Sequence, residues 1–124
     1  MDRLIRCLLL WLFCLALGSR AIAQDWKTEY DQAVTNYQAG NYNEALAFAL
    51  KAHNASKQLD VKNQVYSLQL ITVICLDGNK PDEGLKWIEE EASLFLKTEG
   101  PKSKTYPEAL RKYSLLLQQK GQVK

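Results

Sequence analysis

The chain has 124 residues, 47% of them hydrophobic and 24% charged, which allows one small domain. Its net charge of +2 belongs to its start: of the 16 Lys and Arg, three (Arg3, Arg6 and Arg20) precede Gln24, against one of the 14 Asp and Glu (Asp2). The balanced remainder excludes a basic stripe of the kind that binds nucleic acid or an anionic membrane.

Residues 1–23, MDRLIRCLLLWLFCLALGSRAIA, have the three parts of an export signal. Arg3 and Arg6 make a basic start. Cys7 to Gly18 is an uncharged, apolar run, short of the ~20 residues a spanning helix needs. Ala21-Ile22-Ala23 gives the small-x-small pattern before a cleavage expected between Ala23 and Gln24. An uncleaved anchor is the weaker reading, and neither Cys7 nor Cys14 follows the small residues of a lipoprotein signal. The expected product is an exported protein, periplasmic or secreted, with no stable membrane insertion after cleavage. Only Cys75 survives in residues 24–124, so an intramolecular disulfide is excluded there.

From Asp25 onward apolar residues fall three and four apart, the period of amphipathic helices. Helices are expected near 25–39, 42–57, 60–77, 81–98 and 106–120. Trp26, Tyr30, Ala33 and Tyr37 form the stripe of the first, which stops at Ala39-Gly40-Asn41. Tyr42, Ala45, Leu46, Ala49, Leu50 and Ala52 form the second. Asp60 caps a third that carries Val61, Val65, Leu68, Thr72 and Cys75 and closes at Gly78-Asn79. Pro81 opens a fourth, with Asp82 and Glu83 at its positive end, Leu85, Ile88, Ala92 and Phe95 along it, and Gly100-Pro101 as its stop. The fifth starts near Pro107 and shows Leu110, Tyr113 and Leu117 before Gly121. The stretch LQLITVICL, residues 68–76, has β-branched residues, yet a helix apolar on nearly every side is what the middle of a helical stack requires.

GNYNEALAFALKA from Gly40 has a near-copy in GNKPDEGLKWIEEEA from Gly78. Ala45 and Gly84 hold equivalent small positions 39 residues apart, a period that signals stacked helix pairs. On Gly40, Tyr42, Ala45 and Ala52, residues 25–124 resemble tetratricopeptide repeats. The order of Leu68, Ile71, Thr72 and Cys75, repeated by Leu110, Tyr113, Ser114 and Leu117, matches the first helices of that family. TEGPKSKTYPEAL resembles the connection of the longer repeats of kinesin light chains and of bacterial CHAT-peptidase proteins. Lys80 and Gly84 depart from the family's aromatic and alanine. The resemblance implies an all-α, right-handed solenoid of antiparallel helix pairs, about two and a half repeats, with Gly40, Tyr42, Ala45, Gly78, Gly84 and Gly121 as turn and contact positions.

Catalytic groups are scarce. His53 and Cys75 are the one imidazole and one thiol of residues 24–124, and Cys75 sits in the most apolar segment, where a thiol is a buried hydrophobe. His53 reads as a helix-end residue. A zinc site lacks ligands, no motif points to a cofactor, and the run from Glu89 to Glu91 reads as a solvated face. Asn54-Ala55-Ser56 fits a glycosylation sequon that matters only in a eukaryotic secretory pathway.

Two functional classes remain. One is a non-enzymatic scaffold that holds a protein or peptide in the groove lined by first helices; the other is the repeat region of a larger exported enzyme such as a CHAT-domain peptidase. The family pattern places groove residues at Lys27, Tyr30, Tyr37, Tyr66, Gln69, Arg111 and Gln118, unless these simply cover the surface. The absence of basic residues between Gln64 and Gly78 disfavours a two-carboxylate clamp for chaperone tails. The fifth helix, with Leu110, Tyr113, Leu116 and Leu117, can bury only one side on the preceding pair, so self-association through the C-terminal helix, or a longer repeat protein, is expected.

Overall fold

A computed structural model describes residues 2–100 and 102–122, and the side chains of 3–8, 21–100 and 102–121. Pro101, read above as part of a helix stop, and most side chains of the leader's apolar run lie outside the described residues. The described residues form five helices: α1 (Asp2–Gln38), α2 (Tyr42–Ser56), α3 (Val61–Asp77), α4 (Pro81–Glu99) and α5 (Tyr106–Gln122). No strand occurs among them. α1 runs unbroken through the Ala23–Gln24 junction. No helix, among the described residues, is long and apolar enough to cross a membrane.

Each helix packs on its neighbours in sequence, and α3 also meets α1 and α5, so α3 touches all four others. That position explains LQLITVICL. Leu68, Leu70, Ile71, Thr72, Ile74 and Cys75 are all buried, and a helix covered from several directions needs apolar residues all round rather than one stripe. Asp60 caps it as expected, its side chain accepting the Asn63 N–H at 3.3 Å.

The two copied corners close in the same way but use different residues. After α1, the Asn41 N–H reaches the Asn36 carbonyl (2.8 Å) and the Gly40 N–H the Tyr37 carbonyl (3.0 Å), with Gly40 at φ +80°. This is the paired bonding of a Schellman end, whose left-handed residue is ordinarily glycine. After α3, Lys80 bonds to Cys75 (2.8 Å) and Asn79 to Leu76 (3.4 Å), and Asn79 takes the positive φ of 55°. Gly78 is therefore not the counterpart of Gly40. Its φ is −83°, and a Cβ there would lie 2.8 Å from the Ile74 carbonyl oxygen and 2.9 Å from the Tyr42 Cβ, so its smallness admits Tyr42.

Gly84 lets α4 approach two helices at once, since a Cβ on it would stand 2.7 Å from Leu116 Cδ2 and 3.0 Å from Cys75 Cβ. Ala45 is fully buried. Gly121, read as the close of the fifth helix, lies inside α5, and a Cβ there would meet nothing within 4 Å. The longer connection before α5 is tied by hydroxyls. Ser103 Oγ accepts from the N–H groups of Thr105 (3.2 Å) and Tyr106 (3.1 Å), and both Ser103 and Thr105 donate to Glu99 Oε2, at 2.6 and 2.9 Å.

Among the described residues two apolar clusters result. Ala33, Ala45, Ala49, Ile71, Ile74 and Cys75 join α1, α2 and α3, while Ile88, Phe95, Ala109 and Leu116 join α4 and α5. On α5 the face is turned from the expected one: Ala109, Lys112 and Leu116 are buried, whereas Leu110 and Leu117 are each 46% exposed.

Candidate partner-binding surface

The first-helix positions singled out in the sequence separate into three groups. Tyr66 and Gln69 of α3 line a groove of about 390 Å³ together with Val61, Val65, Phe95 and Thr105, and Lys62 and Glu99 also border it. Tyr66 is 39% exposed and Val61 41%, while Phe95 is buried. The Lys62 ammonium lies 5.8 Å from the centre of the Tyr66 ring. Across from α3, Tyr30 stacks on Trp26 with ring centres 5.1 Å apart, and the Trp26 indole N–H donates to Ser67 Oγ at 2.8 Å. The Tyr30 phenol is pushed up from its ordinary value by burial first and by nearby Tyr66 second. Trp26, Tyr30 and Tyr66 thus make an aromatic surface that bridges α1 and α3.

Tyr37 does something else. Its hydroxyl donates to an Asp77 carboxylate oxygen and its ring meets Tyr42 edge-on at 6.0 Å, so it bolts the ends of α1 and α3 together. The bond to Asp77 is the main reason its phenol is pushed up to about 12. Lys27 is exposed and paired with Asp31 at 3.0 Å, and Arg111 with Glu108 at the same distance. Gln118 is exposed on α5. Neither Arg111 nor Gln118 lines the Tyr66 groove.

Electrostatics give the groove a mixed rim. Lys62 supplies a cation, and Glu99 an anion whose carboxyl is held below the usual range by the hydroxyls of Ser103 and then Thr105. A partner side chain entering between them would find Tyr66 and the valines for apolar contact, with hydrogen-bonding groups on either side.

The polar groups that sequence reasoning missed are inside. Glu91, taken as part of a solvated run, is 1% exposed, and only Glu89 and Glu90 face solvent. Lys112 Nζ stands 2.6 Å from Glu91 Oε1 and 2.8 Å from Thr72 Oγ1, which joins α5, α4 and α3 at one point. This lysine takes a core-facing slot and accounts for the turned face of α5. The signal was present in the spacing: Glu91 lies three residues after Ile88 and four before Phe95, and Lys112 three after Ala109 and four before Leu116. Burial pushes the Glu91 carboxyl up, against the opposing pull of Lys112 and Thr72.

His53 is likewise a buried residue in the last turn of α2, 3% exposed and edge-on to Trp87 at 5.3 Å. Its Nε2 is 3.3 Å from Glu90 Oε1, within ion-pair range, yet neither ring nitrogen is aligned for a hydrogen bond. Burial lowers its pKa, outweighing Glu90, which raises it. The Cys75 thiol is fully buried and pushed up to about 12, chiefly by burial. A thiol in that state is held in its unreactive protonated form. Among the described residues no group of three or more His, Cys, Asp or Glu gathers to hold a metal ion.

Set against protein-family models, curated proteins and solved structures, the chain finds no match in any of the three.

Proposed function

We propose that this chain is an exported, non-enzymatic scaffold of the tetratricopeptide-like kind, which holds a segment of another protein against its first helices. The observation that carries the reading is the groove along α3, where Tyr66 and Val61 remain exposed over buried Phe95 beside the Trp26–Tyr30 stack. Exposed aromatic rings bordered by hydrogen-bonding groups are what peptide-binding surfaces use, because a ring contributes much contact area at low entropic cost. The matching helix ends at Gly40 and Asn79, with α3 touching both α1 and α5, support a stack of helix pairs in which alternate helices share one face. The ligand suited to this groove is an extended segment that presents one apolar side chain between polar neighbours.

Export rests on residues 1–23, and a reporter fused after residue 30 is expected to cross the membrane and lose its leader. Binding is tested by placing a photoreactive phenylalanine at Tyr66 and, as a control, at Ala47, which is exposed on α2. A discrete cross-linked partner from Tyr66 and none from Ala47 is the expected result. Equal labelling at both positions, or none at Tyr66, would remove the groove from consideration.

A further inference from the structure

The groove along α3 has a charged rim as well as an apolar floor. Of the nine described residues that line it, two are charged: Lys62 on α3 and Glu99 at the end of α4, so the charges stand on opposite walls. Both are exposed, and no ion pair among the described residues engages either one. That includes Lys102 and Lys104, the cations of the connection that follows Glu99. Each charge is nonetheless held in place. Lys62 stays over the Tyr66 ring, and Glu99 is fixed through one oxygen, Oε2, which accepts from Ser103 Oγ (2.6 Å) and Thr105 Oγ1 (2.9 Å). Among the described residues no hydrogen bond reaches Glu99 Oε1, which is left to meet a partner.

A rim of this kind selects by sign. A nucleic acid or an anionic lipid surface would bring phosphates against Glu99, and a polybasic tail would set like charge against Lys62. A wholly apolar helix would cover the groove and leave both charges desolvated without a counter-ion. What satisfies both walls is a segment that carries one charge of each sign. Between the walls, exposed Val61 and Tyr66 over buried Phe95 take an apolar side chain. The Gln69 amide on the same lining offers a donor and an acceptor side by side, the pair that an extended backbone presents.

Given that the groove holds a peptide, we infer that its occupant is an extended segment in which an apolar residue stands between a basic and an acidic one. The basic side chain pairs with Glu99 and the acidic one with Lys62. The apolar contact on Tyr66 sets most of the affinity, because an ion pair at an exposed rim changes binding by up to about fivefold. The rim charges act instead on which sequences bind and how fast, and their effect fades once salt screens them, within ~10 Å at 0.1 M. Tyr66 is thus the anchor, and Lys62 and Glu99 determine specificity.

The test selects peptides from a random displayed library with the whole chain at low salt, and discards those that also bind Tyr66→Ala. The expected peptides share an apolar residue with Lys or Arg on one side and Asp or Glu on the other. Such a peptide should lose up to about fivefold in affinity with Glu99→Gln and with Lys62→Gln. Selection on Glu99→Lys should exchange its basic residue for an acidic one. Selection on Lys62→Glu, which leaves the Ser103 and Thr105 bonds to Glu99 intact, should exchange the acidic residue for a basic one and serves if Glu99→Lys does not keep its helical circular dichroism. Tyr66-dependent peptides without the charge pattern, or the same peptides from a folded charge-reversed variant, would overturn the inference and leave the groove reading in place. A selected set with uniformly apolar, helical spacing would also overturn it. The absence of any Tyr66-dependent peptide would overturn both.

Discussion

Replacing Lys112 by Met probes the buried polar contact at the centre of the fold. Lys112 Nζ is 2.6 Å from Glu91 Oε1, and the two side chains are 10% and 1% exposed, so water does little to screen the loss. Removing one partner of a buried pair typically costs about 3–5 kcal/mol, because the other charge stays buried alone. That is a large part of the ~5–15 kcal/mol that stabilises an ordinary domain. The cost depends on pH in a defined sense. Burial already raises the Glu91 pKa above the ordinary 4.5, and loss of Lys112 raises it further. A carboxyl with a raised folded pKa contributes stability that is present below about 4.5 and lost as pH rises through the folded value. Lys112→Met should therefore be most damaging near pH 8 and less so near pH 5. The double variant Glu91→Leu with Lys112→Met removes both charges and should recover most of the loss, since apolar replacement of a buried pair is often neutral or stabilising. Urea unfolding of residues 24–124, followed by helical circular dichroism, measures all three proteins. A loss under about 1 kcal/mol at pH 8, or a double variant no more stable than the single one, would show that this pair is not buried as described.

His53, with its pKa lowered by burial, contributes stability that is present above pH 6.5 and lost as pH falls from 6.5 through its lower folded value; His53→Gln should flatten that part of the pH–stability curve. The glycines should respond in opposite ways. Gly78→Ala meets the Ile74 carbonyl and Tyr42 and should cost about 1–3 kcal/mol, whereas Gly121→Ala meets nothing and should add a few tenths to about 1 kcal/mol, both read from urea midpoints. Cys75 should resist iodoacetamide until the chain unfolds, and Cys75→Ala should cost on the order of 1 kcal/mol without removing any activity of the protein.

The all-helical class and the breaks between helices were legible because they depend on local chemistry. Apolar period, the Asp60 cap, Pro81 at a helix start and Gly40 in a left-handed end each act within a few residues. Even the crowded stretch from Leu68 to Leu76 could be assigned, because only a helix covered by several neighbours would be apolar all round. What escaped depended on partners distant in sequence. Glu91 and Lys112 are unremarkable as single residues; their burial follows from each finding the other across 21 positions. Gly78 looked like a second Gly40, but the left-handed residue is Asn79, and Gly78 is small because Tyr42 packs against it. Among the expected groove residues, Tyr66 and Gln69 line one cavity, while Tyr37 is engaged by Asp77, a contact that no spacing along α1 reveals.

The most direct test of the scaffold reading is the affinity of a partner captured through Tyr66, measured against Tyr66→Ala, Tyr66→Phe and Arg111→Ala by titration calorimetry. An aromatic anchor at the centre of a contact is worth about 2 kcal/mol or more. Tyr66→Ala should therefore weaken binding at least about 25-fold, Tyr66→Phe should retain most of it, and Arg111→Ala, outside the groove, should bind like the unaltered protein. Wild-type affinity in Tyr66→Ala would contradict the account.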